Sequence, residues 1–220
     1  MSSTPTATEC RLYNLEQVAD VRLESLNKFF ESLPLDPYLK ESYRYRRFSR
    51  FCIAGRDLVQ LPHQSFLQKR EYNVLLGDVA REYLELDSDL TSMESFKKIV
   101  RHFLDGCRFL PDGSEVGVHQ IRIISERDLI GRPSPEGVHI DGFDFVGIFC
   151  VERRDIKGGE TYLYESKDGE PVYRTMLEPG DLLVFDDRQM FHYTAPIFTD
   201  SPQGWRDVFI LTAEALRAKL

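Results

Sequence analysis

From Gly113 onward the chain breaks into short runs of β-branched and aromatic residues: Val116 to Ile124, Val146 to Val151, Thr161 to Tyr164, Val172 to Met176, Leu182 to Phe185 and Val208 to Leu211. Turn signals separate them. Lys157-Gly158-Gly159, Lys167-Asp168-Gly169 and Glu178-Pro179-Gly180-Asp181 each place a glycine where a tight turn asks for positive φ. Strands this short, this regularly interrupted and this late in the chain predict an all-β sandwich or barrel in residues 113–220.

The first half reads differently. Between Leu15 and Leu33, Val18, Val21, Leu23, Leu26, Phe29 and Phe30 recur at helical intervals, and Pro34 and Pro37 end the pattern. A second stripe, Phe96, Ile99, Val100, Phe103 and Cys107, predicts a helix over 93–107, with Thr91 and Glu94 at capping-box spacing. The expected class is therefore α+β in one domain, 1–220. Residues 1–112 would be mainly helical support, packed on the outside of a sheet formed by 113–220. Met1 to Glu9 has the composition of a frayed terminus.

Charge narrows the partners. Twenty-eight Lys and Arg against thirty-six Asp and Glu leave a net −8, so the average surface repels phosphate backbones and anionic headgroups. Nucleic acid and membrane are not expected partners. No apolar run approaches the roughly twenty residues of a membrane span, and the N-terminus lacks a basic-then-apolar export pattern. Cys10, Cys52, Cys107 and Cys150 are scattered, which predicts reduced thiols and a cytoplasmic protein.

Of five histidines, His63, His102 and His119 read as surface or structural residues. His139 is different, because Val138-His139-Ile140-Asp141-Gly142 puts an imidazole and a carboxylate two residues apart in extended chain, on one face. With a third ligand from a distant strand, this is the 2-His-1-carboxylate arrangement of non-haem Fe(II) oxygenases. His192, beyond the strand Leu182 to Phe185, fits that place. Arg206 stands in Gly204-Trp205-Arg206-Asp207 ahead of an apolar strand. There it is either a solvated side chain or a bidentate partner for a buried carboxylate.

The ordered set Pro135 to Phe145, Gly158-Gly159-Glu160-Thr161, Pro179-Gly180-Asp181, His192-Tyr193 and Arg206-Asp207-Val208 resembles the 2-oxoglutarate and Fe(II)-dependent dioxygenase family that includes bacterial isoleucine dioxygenase. Arg44-Tyr45-Arg46-Arg47-Phe48-Ser49 resembles an earlier family segment. The resemblance implies a double-stranded β-helix, a cupin-like jelly roll. It also implies Fe(II) on His139, Asp141 and His192, 2-oxoglutarate held by Arg206, O2 as oxidant, and a free, mostly aliphatic amino acid as substrate. Many such enzymes carry Ser or Thr two residues after the arginine; here that residue is Val208, so the hydroxyl partner of the co-substrate is unassigned. Asp141 itself favours hydroxylation over halogenation.

A free amino acid needs a cation for its carboxylate and an acceptor for its ammonium. Arg122 and Asp144 are candidates, each with a bland alternative, as a solvated arginine and a turn-capping acid. Phe143 and Tyr164 are candidates for shaping the pocket. The basic run Arg44, Arg46, Arg47 and Arg50 is either a phosphate site or a segment docking its interleaved aromatics on the β domain. Two other functions fit the same residues: a non-catalytic jelly-roll binding module, and a dioxygenase acting on a protein side chain.

Overall fold

The computed structural model describes residues 12–55, 57–107 and 110–215, so the Met1 to Glu9 segment and Cys10 lie outside the described residues. Strand β1 (Tyr13–Gln17), helix α1 (Leu23–Glu31), β2 (Arg44–Ala54) and β3 (Asp57–Gln60) come first. Then follow α2 (Ser88–Ser92), α3 (Glu94–Gly106), β4 (Glu115–Glu126), β5 (Phe145–Arg154), β6 (Lys157–Gly158), β7 (Thr161–Tyr164) and β8 (Tyr173–Thr175). The chain ends in β9 (Asp181–Asp186), β10 (Phe191–Thr194), β11 (Ile197–Phe198) and β12 (Gln203–Glu214).

The major sheet has the order β1-β9-β5-β12-β4-β2-β3, and every pair in it is antiparallel. Facing it is a smaller wall of β10-β7-β8 and β11-β6. Single bridges at His139↔His192 and Gly131↔Ile197 add the 131–139 segment to that wall. Two antiparallel sheets closing on each other make the jelly roll. Gly158 (φ +76°), Gly159 (+78°) and Gly180 (+96°) take the left-handed turn conformation, whereas Gly169 does not. At Gly158 a Cβ would also run into the carbonyl of Pro196, so the turn excludes a side chain twice over.

Alternation along the central strands divides two cores. Phe149, Phe209, Leu211 and Ala213 turn outward to Phe30, Phe96, Ile99 and Phe103 of α1 and α3. Fully buried phenylalanines of this kind stabilise by about 1.5–3 kcal/mol each. Val146, Ile148, Cys150, Val208 and Ile210 turn inward between the sheets.

The helical pattern expected from Leu15 is shorter. Residues 13–17 pair with β9 as an edge strand, and Asp20, at φ +59°, breaks the chain before α1 begins. The Thr91–Glu94 capping box does not form. Thr91 lies in α2 and donates to the Ser88 carbonyl, and extended Met93 separates α2 from α3. The first half is also less helical than expected, because β1, β2 and β3 are integral to the major sheet. The basic run is β2 itself, registered against β4 from Arg44↔Ile123 to Cys52↔Glu115.

Candidate active site

His139 and His192 face each other as a hydrogen-bonded strand pair. The N–H of His139 donates to the carbonyl of His192 (3.0 Å) and the N–H of His192 to that of His139 (2.8 Å). Their ring centroids are 4.2 Å apart. Asp141, two residues along, brings its carboxylate to 3.8 Å from Nε2 of His139 and 3.5 Å from Nε2 of His192. One ligand atom from each of the three lies within 4.8 Å of the others. Nδ1 of His139 sits 2.9 Å from the Gly137 carbonyl. As that carbonyl can only accept, the ring carries its proton on Nδ1 and leaves Nε2 free to ligate.

Electrostatics favour a neutral His192. Burial, with His139 as neighbour, depresses His192 to about 3, so it is neutral at physiological pH, as a metal ligand must be. Burial opposes charge on His139 too, but Glu136 and Asp141 outweigh it and lift that imidazole above its usual range. Burial works against the Asp141 carboxylate, yet His192, His139 and the Gln68 amide hold it below the ordinary range. Gln68 donates through Nε2 to Asp141 Oδ1 at 3.0 Å and accepts from Arg81 Nη2 at 2.8 Å.

Beneath the turn lies Asp187, which sequence reasoning missed. It accepts from the backbone N–H groups of Asp141 (3.0 Å), Gly142 (2.7 Å) and Phe143 (3.0 Å). Burial and the charge of Asp141 push its carboxyl up to about 7. Its only signal was the Asp186-Asp187-Arg188 turn, which looks like any polar turn.

The cavity between the sheets is lined by the three metal-ligand candidates, by Arg206, Val208, Ile210 and Thr212 of β12, and by Phe143. Arg206 is 2% exposed, and its Nε and Nη2 have no hydrogen-bond partner. Hydroxyls on the lining belong to Ser134, Thr194 and Thr212.

The other substrate candidates lie elsewhere. Arg122 and Asp207 stand directly opposite across β4 and β12 on the outward face, joined by two bonds of 2.7 and 2.6 Å, with the guanidinium over Trp205. Sequence placed Arg122 with Gln120, which is right, but that face is the one turned from the cavity. Asp144 accepts from Ala215 N–H at 2.8 Å and stands 3.4 Å from Arg188, the structural role of a capping acid. Tyr164 alternates outward on β7 beside buried Leu163 and is not on the cavity lining. Conversely, His119, read as a bland histidine, lines the cavity with Arg44, Arg46 and Arg81.

Two imidazole nitrogens and one carboxylate oxygen on one side, with the cavity open on the other, fit a facial iron triad. The orphaned Arg206 guanidinium fits the far carboxylate of 2-oxoglutarate. The model of the 2OG-Fe dioxygenase family matches residues 27–212. The chain belongs to the 2OG-Fe dioxygenase family. Fe(II), 2-oxoglutarate and O2 are accordingly its cofactor and co-substrates, and the His139–Asp141–His192 triad is suited to the iron.

Among solved structures, the chain is similar to a bsmA homolog from Methylobium petroleophilum PM1, with 28% identity, TM-score 0.76, 90% of this chain and 83% of that one. It shares the fold of IDO from Bacillus thuringiensis (20% identity, TM-score 0.75, 89% and 86% covered). It also shares that of the Fe(II)/(alpha)ketoglutarate-dependent dioxygenase TqaL (17%, 0.71, 94% and 84%). A curated relative, the bifunctional enzyme flvA of Aspergillus flavus, is 28% identical over an alignment of 112 positions that covers 42% of this chain and 13% of that protein. The chain thus spans a small fraction of the length of that relative. No helix among the described residues is long and apolar enough to cross a membrane.

Proposed function

We propose that this dioxygenase hydroxylates a free, aliphatic L-amino acid in the cytosol, consuming 2-oxoglutarate and O2. The observation that carries the reading is Arg206, a buried guanidinium without a hydrogen-bond partner for Nε and Nη2, in the same cavity as His139, Asp141 and His192. A buried cation persists when a ligand completes it.

Bound iron with 2-oxoglutarate and O2 supplies the oxidising power, with succinate and CO2 as by-products. The rest falls to the chain. His139, Asp141 and His192 hold the metal by one face and leave the opposite face to ligands. Arg206 fixes the distal carboxylate of the co-substrate and so its orientation. Leu39, Leu75, Leu76, Ile121 and Phe143 give the cavity an apolar wall that suits an aliphatic side chain and excludes water. Glu136, which lines the cavity 3.4 Å from His139 Nε2, is the acceptor for the substrate ammonium. The cytosolic setting is supported by the free, buried thiols of Cys107 and Cys150.

Anaerobic addition of Fe(II) and 2-oxoglutarate, followed by oxygen and a panel of L-amino acids, tests the proposal. The expected results are a weak visible charge-transfer band and then succinate release coupled to an aliphatic member of the panel. A protein that forms no band, or in which His139→Ala binds Fe(II) like wild type, is not this enzyme.

A further inference from the structure

Four buried arginines, Arg44, Arg46, Arg81 and Arg206, line one cavity. Asp36 pairs with Arg44 at 2.7 Å, and Arg206 is assigned to the co-substrate. The hydrogen-bond partners of Arg46 and Arg81 are neutral, and the Asp36 carboxylate, bonded to Arg44, acts on Arg46 only from beyond ion-pair distance. Nε and Nη2 of Arg46 converge on Nδ1 of His119 at 3.3 and 2.7 Å. Arg81 donates from Nη2 to the Gln68 carbonyl oxygen, and its Nε has no hydrogen-bond partner. Both guanidiniums lie over the ring of Phe66, at 5.3 and 4.6 Å from its centroid.

His119 brings no negative charge. An acceptor at Nδ1 is a neutral ring protonated on Nε2, and burial together with Arg46 keeps its titration well below the usual range. Two cations against one aromatic ring, 7% and 1% exposed and neither ion-paired to a carboxylate, are costly unless an anion arrives. That anion is not the distal carboxylate on Arg206. In the registered sheet Arg46 lies opposite Ile121, which lies opposite Val208. It is two strands across and one same-face step along from Arg206, roughly 12 Å between Cα atoms at ordinary strand spacings.

We propose that Arg46 and Arg81 form a second carboxylate subsite, which takes the carboxylate of the substrate. The inference rests on the dioxygenase reading above and deepens it: the substrate is a small molecule with a free carboxylate, not a residue inside a peptide. Gln68 joins Arg81 to Asp141, so the subsite stands one carboxamide from the metal face. A substrate anchored there presents carbons beyond its Cα to the triad.

The test is calorimetric titration of the anaerobic Fe(II)–2-oxoglutarate protein with L-isoleucine, L-leucine, their carboxamides, and N-acetyl-L-isoleucine N-methylamide. The free acids are expected to bind, with the carboxamides at least tenfold weaker and the blocked peptide analogue undetectable. Arg46→Met and Arg81→Met should each weaken the acids by about tenfold to a hundredfold, the range for a lost charge-assisted bond, with the charge-transfer band intact. Arg81→Lys should recover part of the loss.

Equal binding of acids and carboxamides overturns the subsite. So do variants that keep both the band and wild-type affinity, or a band-forming wild type that binds neither acid. If wild type forms no band, the dioxygenase reading falls separately. The metal-free protein then decides the subsite: binding of L-isoleucine that Arg81→Met removes sustains it, and no binding ends it.

Discussion

Asp187 grips the backbone of Asp141, accepting its N–H at 3.0 Å and those of the next two residues at 2.7 and 3.0 Å. The metal carboxylate is therefore held in place by a second, buried carboxylate that does not ligate. Asp187→Ala leaves three inward-pointing amides without an acceptor. Fe(II) affinity should fall about 10- to 100-fold, the range for residues that orient metal ligands. Fe(II) titration of the two proteins checks this; unchanged affinity would show that the turn keeps its shape without Asp187.

Arg206 makes the opposite kind of prediction. Its guanidinium is buried with Nε and Nη2 lacking a hydrogen-bond partner in the protein, so Arg206→Met removes a desolvation penalty and fills the space with an apolar chain. The ligand-free variant should be as stable as wild type, or more stable by about 1 kcal/mol. Its 2-oxoglutarate affinity should collapse while Fe(II) binding persists. Denaturant unfolding beside the two titrations reads all three quantities, and parallel loss of iron and 2-oxoglutarate would refute the role.

His119 sets a pH dependence. Folded, it stays neutral well below its usual range because of burial and Arg46, whereas unfolded it titrates near 6.5. The unfolded chain thus binds a proton that the folded one refuses. Its contribution is complete above about pH 6.5 and is lost as pH falls, by up to about 1.4 kcal/mol per pH unit. His119→Gln, which keeps an acceptor for Arg46, should flatten this acid limb. Urea unfolding at pH 7.5, 6 and 5 compares the slopes, and identical slopes would remove His119 from the account.

Gly147 is where α3 reaches the sheet. A Cβ there would lie 2.5 and 2.9 Å from ring carbons of Phe103, both residues being buried. Gly147→Ala should cost about 1–3 kcal/mol through overpacking. A thermal melt showing no drop in Tm would mean that the helix shifts freely on the sheet.

The β core was legible because its strands carry apolar residues on both faces, one against the helices and one against the cavity. β2 was not, since its first two inward positions are Arg44 and Arg46, and charged residues pointing inward contradict the alternation that marks a strand. Those arginines face ligand space rather than core, so the break in the pattern came from the site itself. The triad was legible from His139 and Asp141, whose two-residue spacing survives as geometry. Arg122 misled because spacing gives the face but not which face is the inner one, a matter decided by registry with Asp207. Asp187 was invisible because its work is done on backbone amides, which every residue possesses.

The reciprocal bonds between His139 and His192 make one rung of a ladder carry two of the three metal ligands. Their separation is dictated by main-chain pairing, so iron meets a gauge already cut to size. The same rung fastens the 131–139 segment to the smaller wall. Loosening it would dismantle the cation site and unlatch the barrel rim together, and bound iron should correspondingly slow amide exchange at both histidines.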